Sequence, residues 1–332
     1  MRENELEVLK QYDIEVKNIR KVRDAILCEA DEGVFLLKEM KTSEKRLTTL
    51  EWVGKYMQSQ GYENVDRILR TKEGTLFCTS EEENRYYLKK WFWGKECDIH
   101  HEKEIVDALI NLARVHSLLR HVNEHEEVPA LECGEDLREE FSRHNREVRK
   151  VRGLIRSKPV KGLFESTFLK SFDEQYAWAD VALQQLQNSE YDKLYETACA
   201  NLMIVHGEYN YHNVLMTFGG VATTNFNHIH KNIQILDFYD FLRKVMEKNH
   251  WDLRLGDKMI ECYQKYLPLR KEEWELLKVC LAYPEKFWKI ANSYARSKKS
   301  HLPAKSLEKL ELVMEQTKEK QKFLEGIFSF QL

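Results

Sequence analysis

His206-Gly-Glu-Tyr-Asn-Tyr-His-Asn-Val214, followed downstream by Ile233-Gln-Ile-Leu-Asp-Phe238, decides how this chain is read. The first piece leaves one apolar run, Leu202-Met-Ile-Val205, and enters another, Val214-Leu-Met216. The second alternates apolar and polar residues and closes on Asp237. The pattern predicts strand, loop, strand, turn, strand. A loop between short apolar strands presents polar side chains from a rigid base. Here it presents His206, Glu208, an Asn five residues after that carboxylate (Asn213), and Asp237 on a neighbouring strand end.

That spacing suits phosphoryl transfer. A carboxylate can accept the proton of an attacking hydroxyl, while an Asn carboxamide and a second acid hold magnesium against the phosphates. Kinases order these parts as His-x-Asp-x-x-x-x-Asn and then Asp-Phe. Glu208 stands where the first Asp is expected. The stretch resembles the aminoglycoside phosphotransferase/choline kinase-like group, whose loop opens His-Gly-Asp. Within it, Tyr209-Asn-Tyr-His-Asn-Val-Leu215 and Tyr283-Pro-Glu-Lys-Phe-Trp-Lys289 are similar to the CotS-type spore coat proteins of endospore-forming bacteria.

The resemblance runs nearly end to end and implies an α+β, two-lobed protein kinase-like fold. A small N-terminal antiparallel β lobe with one main helix would span residues 1–93. A larger, mostly helical C-terminal lobe would span 94–332. It implies ATP and magnesium between the lobes, with Lys38 orienting phosphates and Asn213 and Asp237 binding the metal. Glu208 would act as base, and His206 would hold the loop. Glu51, with Glu44 as rival, would pair with Lys38 from the lobe's helix, and Trp91 and Trp93 would lie where the lobes join and adenine binds. The implied partners are a small hydroxylated acceptor and other spore coat proteins. The implied place is the mother-cell cytoplasm, with assembly into the coat.

The residues support the outline independently. Ile14–Ile19, Ala25–Ala30 and Val34–Glu39 read as opening strands, with Asp31-Glu-Gly33 a turn and Lys38 at the third strand's end. A helix is predicted from Glu44 to Gln60, capped by Ser43, with Leu47, Leu50, Val53, Gly54 and Met57 inward. Strands follow at Val65–Leu69, Leu76–Thr79 and Tyr86–Phe92. Helices are predicted over 1–13 (Leu6, Leu9 and Tyr12 sharing a face), 102–120, 137–156, 163–188, 190–201, 250–266, 271–282, 284–298 and 304–325. His116, on an apolar helical stripe, reads as a core histidine. The 137–156 helix carries so many arginines and so few apolar residues that it reads as a long solvated helix, with an anion-binding face as the sharper alternative.

Two features weaken the catalytic reading. The turn Arg20-Lys-Val-Arg-Asp24 has no glycine, so backbone amides cannot approach phosphate closely, and Arg20, Lys21 and Arg23 would supply charge instead. Glu208 is one methylene longer than Asp, and a displacement of about 1 Å can cost roughly a hundredfold in rate. Two readings stay open: a small-molecule kinase, or a catalytically weak pseudokinase serving coat assembly.

Composition sets the boundaries. Net charge is −3, with 52 basic and 55 acidic residues, which argues against a dedicated nucleic-acid or membrane surface. No window of about 20 uncharged apolar residues suggests a transmembrane helix. The seven cysteines form no Cys-x-x-Cys pair and read as inert thiols. His228 and His230 lack a third ligand at a metal-binding spacing.

Overall fold

A computed structural model describes residues 7–22, 24–120, 122, 128–297 and 304–330. Leu6 of the first expected helix, Arg23 of the glycine-free turn and much of the 121–136 loop lie outside the described residues. The chain divides into two compact units, one running to Glu132 with Ile204–His230, the other Cys133–Met203 with the chain from Lys231.

The first unit is built on an antiparallel sheet. Its strands are β1 (Val16–Val22), β2 (Ala25–Ala30), β3 (Gly33–Glu39), β4 (Ile68–Leu69), β5 (Cys78–Thr79) and β6 (Arg85–Lys90). The order is β1-β2-β3-β6-β4, with β5 also paired to β6. The strands foreseen around residues 65–69 and 76–79 therefore form only as two-residue pieces. One face, with Phe35, Leu37, Leu88 and Cys28, packs on Val8, Leu9 and Tyr12. Side chains alternate across a strand. Leu36 opposes Lys89 and Lys38 opposes Tyr87, so Lys38 and Lys89 share the other face.

Helix α1 (Glu44–Ser59) starts where Ser43 accepts from the Arg46 amide at 3.2 Å. Its foreseen inner residues are buried, and they meet Tyr62, Val65, Ile204, Phe226 and Ile229 in one core. A second sheet has the order β10-β9-β7, from β7 (Gly94–Glu96), β9 (Val214–Thr217) and β10 (Gly220–Thr223), while β8 (Ile204–Val205) enters the loop. Helix α2 (Glu102–Leu119) buries His116 fully, as the stripe suggested.

The second unit is helical: α3 (Leu137–Arg156), α4 (Leu163–Gln187), α5 (Tyr191–Ala200), α6 (Ile235–Lys248), α7 (Leu253–Tyr266), α8 (Lys271–Ala282), α9 (Glu285–Arg296) and α10 (Ala304–Phe328). The charged α3 is not solvated all round. Phe141, Val148, Val151 and Ile155 are buried, and the last three join Phe164, Phe168, Phe172 and Phe287 in a core. Asp252 caps α7 by accepting from the Leu255 amide at 2.8 Å.

Two expectations fail here. Ile233–Phe238 is not a strand: Asp237 sits in the first turn of α6. Ile235 and Leu236 are adjacent apolar residues, which breaks strict alternation, and the apolar repeat continuing through Phe241, Leu242, Val245 and Met246 selects the helix. The cysteines are not all free thiols, because Cys133 and Cys199 form a disulfide across 66 residues of sequence. The fold brings their neighbourhoods together, since the Tyr195 hydroxyl donates to the Gly134 carbonyl at 2.6 Å.

Within this unit His144 is buried and stacked on Trp288, with ring centroids 3.4 Å apart. Burial holds its imidazole near 3, so it stays neutral beside Glu140 and Glu285. Burial, then Glu285 and Asp240, pushes the Glu140 carboxyl up to about 7. A raised acid contributes stability that is complete below the unfolded pKa, near 4.5, and lost as pH rises through the folded value near 7. Glu140→Gln removes that loss. Urea midpoints of the variant and the parent should agree near pH 4 and diverge in favour of the variant by pH 8.

Candidate functional site

The loop 206–213 is braced by its own polar groups. The Glu208 amide donates to His206 Nδ1 at 3.2 Å, and His206 Nε2 lies 2.9 Å from the Thr224 carbonyl. An amide only donates and a carbonyl only accepts, so His206 is neutral with its proton on Nε2. The Glu208 carbonyl accepts from Asn210 Nδ2 at 3.1 Å and from Asn213 Nδ2 at 2.9 Å. Tyr209, fully buried, donates to the Ala108 carbonyl of α2 at 2.7 Å and accepts from Asn111 Nδ2 at 3.2 Å. Tyr209 is thus a core residue.

Gly207 has φ +78°, a left-handed conformation, and a Cβ there would lie 2.2 Å from the His228 carbonyl oxygen. The loop is thereby pressed onto the short 3₁₀ turn Phe226–His228. The Glu208 carboxylate is about half exposed, and its Oε2 lies 3.6 Å from His228 Nε2. His230 Nδ1 turns back to the His228 carbonyl at 2.6 Å.

The next layer was not foreseen. Asn225, in the left-handed region with φ 65° and ψ 53°, lies two residues past the end of β10. Its Nδ2 donates to Asn213 Oδ1 at 2.9 Å. Its Oδ1 accepts from Lys89 Nζ at 2.7 Å, and its amide donates to Asp66 Oδ2 at 2.9 Å. Lys89 and Asp66 form an ion pair at 2.5 Å, each side chain only 5% exposed. The sequence signal available for this layer was Asn225-Phe226, a polar-Phe pair closing a short hairpin after the loop.

Lys38 lies in reach of this cluster. Burial and then the nearby Lys89 push its ammonium below the ordinary value, with Asp66 opposing. Among the described residues Lys38 has no hydrogen-bond or ion-pair partner. The Lys38–glutamate pair is not formed. Arg70 binds both Glu51 oxygens, at 2.6 and 2.7 Å, and Lys55 adds a third contact at 2.7 Å. Burial pushes Glu51 up, but these cations outweigh it and hold its carboxyl below the usual range. Glu44 pairs with Arg85 at 2.9 Å. Both α1 carboxylates are therefore paired with arginines, Arg70 and Arg85. Trp91 lies beside Lys89, whose Nζ is 4.7 Å from the ring centre, whereas Trp93 is half exposed with Arg20 over its ring at 5.8 Å.

These donors do not fit a divalent cation. Magnesium favours carboxylate oxygens in octahedral geometry. The side-chain oxygens of Asn213 and Asn225 both accept N–H donors, and the nearby carboxylate, Asp66, is neutralised by Lys89. Among the described residues no cluster of three His, Cys, Asp or Glu side chains is arranged to hold a metal. Asp237, in the other unit, is buried at 3% exposure.

Comparison with known proteins places the chain. The family described as "Spore coat putative kinase YutH" matches residues 5–327, and the chain belongs to it. Spore coat protein S of Bacillus subtilis (strain 168) is 23% identical over 275 residues, 80% of this chain and 75% of that protein. An aminoglycoside phosphotransferase from Alicyclobacillus acidocaldarius superposes with TM-score 0.85 at 18% identity, covering 97% and 94% of the two chains. Amicoumacin kinase hAmiN, in complex with AMP-PNP, Ca2+ and Ami, superposes with TM-score 0.60 at 12% identity, covering 98% and 94%. The phosphotransferase-like fold follows, an antiparallel sheet toward the N-terminus and helices toward the C-terminus. No helix among the described residues is long and apolar enough to cross a membrane.

The Gly207 contact gives a direct check. Gly207→Ala combines left-handed strain with a backbone clash, and strain alone costs about 1–3 kcal/mol. Chemical denaturation should register a loss of at least that size, whereas Gly153→Ala, with open space around its Cβ, should leave stability unchanged or higher.

Proposed function

We propose that this member of the spore coat putative kinase family is a nucleotide-binding, kinase-like component of the spore coat with little or no phosphoryl-transfer activity. The observation that carries the reading is Lys38: a half-buried ammonium, unpaired among the described residues, on the sheet face that also bears Lys89, whose contacts run through Asn225 to Asn213 of the 206–213 loop. Leaving a cation without an internal partner in a partly desolvated place suits an anionic ligand. The adenine side would be residues Trp91 and Trp93, and the nucleotide-binding lobe would be residues 1–93, with the helical remainder 94–332.

The coat context rests on the family and on the name of the relative from Bacillus subtilis. It implies synthesis in the mother cell and association with other coat proteins. Low turnover is supported by Glu208, longer than the Asp that kinases use, and by the absence of a fitting metal cradle around Asn213. One observation favours slow transfer to a small hydroxylated acceptor instead: the Glu208 carboxylate is half exposed and, among the described residues, has no hydrogen bond fixing its oxygens apart from its approach to His228.

Thermal unfolding with ATP tests the reading. At a hundred times its dissociation constant ATP should add about 2.7 kcal/mol of stability. Lys38→Met should remove most of that gain and leave the unliganded protein's melting temperature within a degree or two. Radiolabelled ATP offered with pooled hydroxylated metabolites should give no product at rates near the 1–100 s⁻¹ of typical kinases. Turnover at such rates would establish the transferase reading instead, and no ATP-induced shift at all would remove nucleotide binding.

A further inference from the structure

The orientation of two carboxamides decides what the cluster around Asn213 can bind. The Glu208 carbonyl can only accept, so Asn213 turns Nδ2 toward it and Oδ1 toward Asn225. The Lys89 ammonium can only donate, so Asn225 turns Oδ1 toward Lys89 and Nδ2 toward Asn213. Each amide is fixed by a partner whose role is not ambiguous, and the two settings agree. In kinases the catalytic-loop Asn and the Asp of the Asp-Phe pair hold metal together. Here the residue that closes the following hairpin, precedes a Phe and touches the loop Asn is Asn225.

A carboxylate at 225 would face Asn213 Oδ1 with two acceptors and no proton between them, an arrangement that calls for a cation. Asn225 removes that need by supplying an N–H. Its remaining oxygen is met by a cation the chain carries itself, Lys89, held in place by Asp66 and 5% exposed. A divalent ion at Asn213 would have to break the Asn213–Asn225 bond and sit close to an ammonium already buried there.

Resting on the nucleotide-binding reading above, we infer that Asn225 occupies the position of the metal-binding Asp, that the Lys89 ammonium stands in for the divalent cation, and that the site takes nucleotide phosphate without a metal. Lys38 then meets the phosphates directly, and Lys89 acts as a positioning residue through Asn225.

The test is calorimetric titration of the full chain with ATP, once in EDTA and once in excess magnesium. The expected dissociation constants agree within threefold. Tightening by threefold or more with magnesium would overturn the inference while leaving nucleotide binding intact. Absence of binding in both buffers would overturn the nucleotide reading and this inference with it. Lys89→Met frees Asp66 beside the two carboxamides, and its affinity for ATP should become magnesium-dependent by tenfold or more. If that variant does not fold, Asn225→Asp serves the same purpose, and it too should acquire a magnesium response. Indifference of a folded Asn225→Asp protein to magnesium would count against the assignment of position 225.

Discussion

The ion pair between Lys89 and Asp66 is the constraint on which the candidate site depends. Both side chains are almost wholly buried, and burying two charges costs several kcal/mol per ion before attraction and hydrogen bonds offset it. Such a pair is tolerated only when its remaining donors and acceptors are used. Asn225 uses them: its side-chain oxygen takes a second proton of Lys89, and its amide takes the second bond to Asp66 Oδ2. Losing one partner of a buried pair commonly costs about 3–5 kcal/mol, because the other charge is stranded. The end of β10 is therefore tied to the middle of the six-stranded sheet. The left-handed backbone of Asn225, which Asn tolerates better than most residues, is the geometry that permits both contacts.

From that node the order passes into the 206–213 loop. Asn213 is gripped by Asn225 on one side and by the Glu208 carbonyl on the other. Neutral His206 joins the loop to Thr224, and Tyr209 pins it to α2. Gly207 lets the chain pass against the His228 carbonyl where any side chain would collide. The result is a loop whose backbone is set by buried, directional bonds while the Glu208 and His212 side chains project about half exposed.

Much of this was legible in the sequence, and the limits have physical causes. The 206–213 loop, the strand carrying Lys38 and the α1 helix were readable because short apolar runs, a capping serine and a 3.6-residue repeat are local signals. The start of α6 was misread because six residues cannot separate a period of 2 from one of 3.6. The partners of Glu51 were misassigned because an arginine 19 residues away, Arg70, reaches it through tertiary packing that no spacing rule encodes. Lys89 and Asp66 are 23 residues apart, and Asn225 lies 136 beyond Lys89. Their meeting is a property of the sheet's register, not of any motif. The motif reading took the literal Asp-Phe match at 237–238 and did not weigh Asn-Phe at 225–226.

That literal match carries a general lesson about kinase-like chains. Phosphoryl transfer asks little covalent chemistry of the protein and depends on positioning and on countercharge. The two requirements can part company during divergence. Positioning is stored in backbone bonds, buried tyrosines and a glycine that evades a clash, and all of these stabilise the fold whether or not a reaction occurs. Countercharge is stored in a few carboxylates and the ion they hold, and each carboxylate without its ion is a cost to stability. Replacing a carboxylate by a carboxamide and bringing in a lysine removes that cost and leaves the loop's geometry intact. In this chain the braced loop lies beside a buried ammonium, Lys89, held by Asp66 and by the carboxamide oxygen of Asn225.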